Sequence, residues 1–277
     1  MRTRSKGLML AGAVGVAAGA WAWAWARNSR ASDPAVQDQS TYPPLDVPKL
    51  VAEGVWIVDS GPINAMGLTL PVRMTIVRLG NGDLLLHSPT QFSPQLAQAV
   101  EKLGRVRHLV APNVAHWTFI TDWQRAHPDA KTWAVPGLRD RAQVRASAVR
   151  IDAELSDTAP AEWAGTLDQG IVEAGAGFNE AWFLHRPTRT LVLVDLIENL
   201  EPEKLRPVAR VLMRAAAATR GTTARYLRVP IRLGGAQTEE AIRAIVALEP
   251  ERVIFAHGRP FDKNGAAKLR SAFAWLI

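Results

Sequence analysis

From residue 49 onward the chain alternates short apolar runs with polar punctuation, and the same order of elements is legible twice. "MTIVRLGNGDLLLHS", residues 74–88, is two apolar runs around Asn81-Gly82. Both turn positions favour positive φ in that pair, so the spacing predicts a β-hairpin. "SPQLAQAVEKLG" reads as a helix with Ser93 as N-cap, Pro94 at the first helical position and Gly104 past the end. A strand, "HLVAP", follows and ends at Asn113 and His116.

In the second half, "AWFLHRPTRTLVLVDL", residues 181–196, predicts a hairpin turning at Pro187 to Arg189, its second strand ending at Asp195. Helical segments are expected around 202–219 and 238–250, then a strand, "RVIFA", that ends at His257. The closing "NGAAKLRSAFAWLI" reads as a helix capped by Asn264. Each half thus places polar residues after apolar strands: His87 and then Asn113 with His116, Asp195 and then His257. Ligands of α/β sheets bind outside the carboxyl ends of strands, so these ends form a site if the halves pack sheet to sheet.

The beginning of the chain has a different texture. Residues 7–26 are an uncharged run of about the length, roughly 20 residues, that spans a bilayer as a helix. It is either a signal peptide, with Ala24-Trp25-Ala26 as a cleavage option, or an uncleaved anchor, favoured by its length and by Trp21, Trp23 and Trp25. Arg2, Arg4 and Lys6 keep the N-terminus cytoplasmic. The domain then faces the periplasm or cell exterior from the inner membrane, or is released to the periplasm if the segment is cleaved. Residues 27–48 are polar and proline-bearing without periodicity, a linker, which leaves 49–277 as the folded domain.

Charge and cysteine content narrow the chemistry. The net charge is +7, but the first thirty residues hold +5 and no acid, leaving +2 for the rest. That balance gives little reason to expect a nucleic-acid partner. With no cysteine, disulfides and thiolate metal sites are excluded, and a metal would rest on His, Asp, Glu or Asn.

Each candidate also has a structural reading. His257 before Gly258 suits a tight turn, His116 before Trp117 and Phe119 suits a packed first helical turn, and Asp195 suits a cap. For Asn113 an Asx-turn or N-cap is the alternative. Ser88 beside His87 does not read as a nucleophile, because neighbours on a strand face opposite ways and no G-x-S-x-G elbow occurs. His108, His127 and His185 read as structural. Arg206, Arg210 and Arg214, four residues apart, line one face of a helix: a solvated face, or a contact with membrane phosphates or an acidic substrate.

The order and spacing of "HSP" at 87–89, "APNVAHWTF" at 111–119 and "HGRP" at 257–260 resemble the metallo-β-lactamase-like superfamily, in particular a bacterial branch with a degenerate metal motif. The resemblance implies a mixed α/β fold, the four-layer αββα sandwich, over about residues 50–277, behind the N-terminal hydrophobic helix. The superfamily motif is T-H-x-H-x-D-H. Laid with its last histidine on His116, it puts Ala111 and Asn113 where two histidines belong and Ala115 where the aspartate belongs. The next family histidine would fall near "GAGFNE", residues 175–180, which has none. Asp195 matches the bridging aspartate and His257 the last histidine.

The implied ligand set is His116, Asp195 and His257, holding one divalent ion, with zinc first and iron or manganese as alternatives, or holding none. Such an ion would bring the pKa of bound water toward about 7 and serve hydrolysis of an ester, amide or phosphoester in an unidentified small molecule. His87 stands at a family aspartate position as a supporting partner, replacement ligand or proton shuttle, and Asn113 is placed to bond a hydroxide or substrate oxygen. The competing expectation is a non-catalytic binding or scaffold module on the same fold.

Overall fold

The computed structural model describes residues 40–65 and 68–277; the apolar run at 7–26 and most of the linker lie outside them. No helix among the described residues is long and apolar enough to cross a membrane.

Two sheets form. The first holds β1 (Lys49–Ala52), β2 (Val55–Ala65), β3 (Leu68–Arg78), β4 (Asp83–His87), β5 (Arg105–Ala111), β6 (Lys131–Ala134) and β7 (Ala153–Glu154), side by side in chain order. Strands β1 to β4 pair antiparallel, and β4 to β7 pair parallel. Parallel neighbours need a crossover, which α1 (Pro94–Glu101), α2 (Ile120–Ala126) and α3 (Ala142–Arg145) supply in turn. The second sheet runs β11 (Arg252–Ile254), β10 (Thr190–Val192), β9 (Asn179–His185) and β8 (Leu167–Glu173). Here β8, β9 and β10 are antiparallel, and β11 joins β10 in parallel after α4 (Pro207–Ala215), α5 (Arg225–Leu233) and α6 (Gly235–Ala247). Helix α7 (Gly265–Phe273) follows.

The core explains the layering. Trp56, Met74 and Leu86 of the first sheet share one buried cluster with Ile171, Phe183 and Val192 of the second, so the sheets face one another. Helices α1 and α2 pack on β5, while α6 packs on β8 and α7 on β11. A second cluster, including Ile245, Phe255, Leu269 and Phe273, fills the space beneath α6 and α7.

Local signals act largely as expected. Ser93 Oγ accepts the Leu96 N–H at 3.1 Å and caps α1. The β3–β4 hairpin forms, but only Gly82 takes a positive φ, +88°; Asn81 instead accepts the Asp83 N–H at 3.0 Å in an Asx-turn. Asn264 precedes α7 in the left-handed region and makes no side-chain cap bond, a correction to its expected role. The helical stretch expected at 202–219 divides into a 3₁₀ turn at Pro202–Lys204 and α4. Packing begins ahead of Lys49: Thr41 is fully buried, and its carbonyl accepts Lys204 Nζ at 3.0 Å.

Candidate metal centre

The site lies where strand ends of the two sheets meet. After β5, Pro112 cannot continue the ladder, and Asn113 turns the chain. Its Oδ1 accepts the N–H groups of Ala115 and His116, both at 2.9 Å, which sets the first turn carrying His116. The imidazole has Nδ1 2.7 Å from Ser88 Oγ and Nε2 3.2 Å from Asp195 Oδ1. Ser88 reaches it because its backbone enters the left-handed region, φ +54°, uncommon for a residue with a Cβ.

Asp195 stands three residues beyond β10, on a segment held by Glu180 of β9. The Glu180 carboxyl is fully buried and accepts the N–H groups of Val194 (2.8 Å), Asp195 (2.8 Å) and Leu196 (3.1 Å). Asn113 Nδ2 donates to Asp195 Oδ2 at 2.7 Å, which leaves Oδ1 facing the imidazoles.

His257 stands three residues beyond β11. Its Nε2 is 3.2 Å from that same Oδ1, and its Nδ1 is 2.7 Å from the carbonyl oxygen of Pro71. The turn it starts requires Gly258, at φ +93°, because a Cβ there would lie 2.1 Å from the Asn199 carbonyl oxygen. Arg73 of β3 ties the turn to the other sheet: Nη1 donates to the carbonyls of Phe255 (2.8 Å) and Gly258 (2.7 Å), and Nη2 pairs with Asp59 at 2.6 Å.

One donor atom each from His116, Asp195 and His257 therefore lies within 4.8 Å of the others, with all three residues buried. This set fits a divalent ion on two counts. Ligands about 2.0–2.1 Å from a tetrahedral ion are about 3.3 Å apart, close to the two 3.2 Å separations observed here. A backbone carbonyl only accepts, so His257 Nδ1 carries a proton and donates it to Pro71. In the neutral ring Nε2 then has a lone pair that faces a carboxylate oxygen, an arrangement that asks for a cation between them.

The field around the set is uneven. Burial alone would raise the Asp195 carboxyl, but the charge and hydrogen bonds of His116 and His257 outweigh it and hold it well below the usual carboxylate range. For His257 burial pulls the other way, and the Asp195 hydrogen bond, with the charges of Asp195 and Glu198, leaves its pKa raised. Burial and then the Asp195 charge push Glu180 up to about 8, against its three N–H donors. Glu198, buried and bonded by the Tyr226 hydroxyl, is likewise pushed up, to about 7, by burial first.

The other expected residues divide. Asn113 is in the site, and it performs its Asx-turn role while also orienting Asp195. His87 is not one of the three clustered donors: it is buried between the sheets, its ring 5.4 Å from that of Phe183. Its Nε2 has no hydrogen-bond partner among the described residues, and burial, followed by the His116 charge, lowers it to about 3, so the ring is neutral. Ala115 is buried in an apolar cluster with Ile63, Leu70 and Met213. Glu180, Arg73 and the Glu198–Tyr226 pair were not anticipated; the available signal was a lone acid, Glu180, directly before the apolar "AWFL" run of the same strand.

The model of a family described as "Domain of unknown function (DUF4336)" matches residues 53–224. The chain belongs to this DUF4336 family. That span includes His116 and Asp195 but stops before His257, so one of the three clustered donors of this DUF4336 protein lies beyond it. No curated protein matches the chain.

Among solved structures it resembles several metallo-β-lactamases. The enzyme from Pontibacter korlensis aligns with a TM-score of 0.58 at 13% identity, over 82% of this chain and 98% of that one. FIM-1 from Pseudomonas aeruginosa, in its mono-zinc form, aligns with a TM-score of 0.57 at 14% identity, over 87% and 96%. The lactamase from Hirschia baltica gives 0.54 at 13% identity, over 83% and 96%. At such identity the likeness concerns the fold, and the fold is metallo-β-lactamase-like.

Proposed function

We propose that this DUF4336 protein is a hydrolase using a single divalent ion, zinc first, held by His116, Asp195 and His257, and acting on an ester, amide or phosphoester at the cell envelope. The observation that carries the reading is the convergence of donor atoms from buried His116, Asp195 and His257 within 4.8 Å of one another; the Pro71 contact leaves Nε2 of a neutral His257 ring facing Asp195 Oδ1. When bound, the ion supplies Lewis acidity, polarising a substrate carbonyl or phosphoryl group and making water a competent nucleophile near neutral pH. The chain's own residues prepare the site. Asn113 holds one Asp195 oxygen so that the other faces the imidazoles, and Ser88 orients the His116 ring. Glu180 fixes the backbone on which Asp195 rides. Glu198, near His257 and Asp195 and pushed up to about 7, is a candidate for moving a proton.

A second reading draws on the raised pKa of His257: an imidazolium paired with Asp195 would satisfy the same contacts in a non-catalytic binding module. Metal analysis of the untagged full-length chain, native and as His116→Ala and His257→Ala, separates the two. The hydrolase reading expects about one ion per chain, lost in both variants. A folded native chain that takes up no zinc, iron or manganese would leave the ion-paired module standing. Envelope placement through residues 7–26 is tested by membrane fractionation with N-terminal sequencing of the mature protein.

A further inference from the structure

The modest charge of the domain conceals a strong segregation. From Lys204 to Thr238 the chain has eight Lys and Arg and no acid, whereas the rest of the chain after residue 30 carries a net charge of −6. The same segment collects exposed apolar side chains: of the seven large ones among the described residues, Val208, Val211, Leu212, Val229 and Leu233 fall in it.

Helix α4 shows what this means locally. A surface helix normally turns its apolar stripe to the core. In α4 only Met213 is buried, while Val208, Val211, Leu212 and Ala215, at i, i+3, i+4 and i+7, form a stripe facing outward. Val208 is 73% exposed and Val211 68%. Arg206, Arg210 and Arg214 recur at four-residue steps on another face of the same segment, Arg214 one turn from Val211. In α5, Val229 and Leu233 repeat the theme, one turn apart, with Arg225 and Arg232 also exposed. The two helices are joined closely, the Arg225 N–H donating to the Ala216 carbonyl at 2.7 Å.

We propose that the α4–α5 surface docks on an anionic phospholipid bilayer, the arginines at the headgroup phosphates and the α4 stripe beneath them. This goes beyond the reading of the metal centre and does not depend on it. Apolar side chains flanked by cations with no acids are the composition of an interfacial helix. A second copy of the chain fits poorly, since a two-fold contact would set this cationic surface against itself. Nucleic acid would engage the arginines but leave the valine stripe unmatched. The place where the tether arrives adds an independent argument. Thr41, near the first described residue, is bonded by Lys204 at 3.0 Å, and the Tyr42 ring lies 5.0 Å from the same ammonium, so the chain enters the domain beside the start of α4. If residues 7–26 anchor the protein, the thirteen residues 27–39 reach at most about 45 Å, which keeps this surface within reach of the bilayer.

The absence of native cysteine gives a clean test. Val211→Cys in the full-length chain is labelled with an environment-sensitive fluorophore and reconstituted into vesicles of phosphatidylglycerol with phosphatidylcholine, or of phosphatidylcholine alone, each carrying spin-labelled lipid. Expected is a blue shift with lipid quenching in the phosphatidylglycerol vesicles. Most of it should be lost in phosphatidylcholine alone, at high salt and in the added Arg206→Glu/Arg214→Glu background. A label at exposed Lys102, after α1, should stay unquenched. High salt also separates docking from anchoring: an anchored chain remains with the vesicles while the Val211→Cys quenching disappears. Absence of quenching with phosphatidylglycerol, or equal quenching in both lipids, would overturn the proposal. So would a blue shift produced by duplex DNA or by raised protein concentration without lipid.

Discussion

The two halves of the molecule supply the cluster of His116, Asp195 and His257 in different ways. At the end of β5, in the first half, the chain reads Ala111, Asn113, Ala115, His116: one imidazole, one amide and two methyl groups. The ends of β10 and β11, in the second half, carry Asp195 and His257, an anion and an imidazole that point at each other. Where the first half lacks donors it makes hydrogen bonds. Asn113 uses its oxygen to shape the His116 turn and its nitrogen to hold Asp195. Ala115, in the place the resemblance gives to an aspartate, has joined an apolar cluster. The positions without donors on one side are therefore used for packing and orientation, and no unpaired polar group is left there among the described residues.

The sharpest way to break the contrast is on the second-half side. Asp195→Ala should take ion binding below detection by calorimetric titration, because it removes the one carboxylate both imidazoles face. Next in size is the brace between the halves. Arg73→Met leaves Asp59 with only the partly exposed Lys49 and removes the donor to the Phe255 and Gly258 carbonyls, and urea unfolding should show a loss of about 3 kcal/mol. Asn113→Ala tests whether the first half contributes by orientation. The ligands remain, and ion affinity should fall roughly 10- to 100-fold, as for other groups that orient a ligand; an unchanged affinity would reduce Asn113 to a turn residue.

The most gradual effect, spread over several pH units, concerns His87. Its folded pKa, about 3, lies below its unfolded value, so the neutral ring contributes stability above about pH 6.5 that is lost as pH falls toward 3. The native protein should therefore lose up to about 1.4 kcal/mol per pH unit in that window more than His87→Phe does, read from urea midpoints at successive pH values.

Much of this was legible beforehand because it rests on local chemistry. The Ser93 cap, the Asn81-Gly82 turn and the apolar runs ending on His116, Asp195 and His257 are contiguous signals, and the structure gathers those three ends together. What was hidden depends on distant partners. Helix α5 carries Pro230 inside it, a residue that argues against a helix until tertiary packing overrides it. Alternation along a strand does not reach Ser88, which follows the last residue of β4; its partner is His116, 28 positions away, reached through a left-handed backbone step. Arg73 reads as one more charge on a β-strand; only the fold reveals carbonyl partners 182 and 185 positions away.

The parallel pairing of β10 with β11 has a consequence for how the protein comes into being. His116 and Asp195 are synthesised well before His257, and the strand that delivers His257 docks only after α4, α5 and α6 have been made. Contacts across such a separation are slow to close. Until β11 is in place a nascent chain holds an imidazole and a carboxylate without their third companion, so the order of synthesis itself delays completion of the cluster until the second sheet has closed.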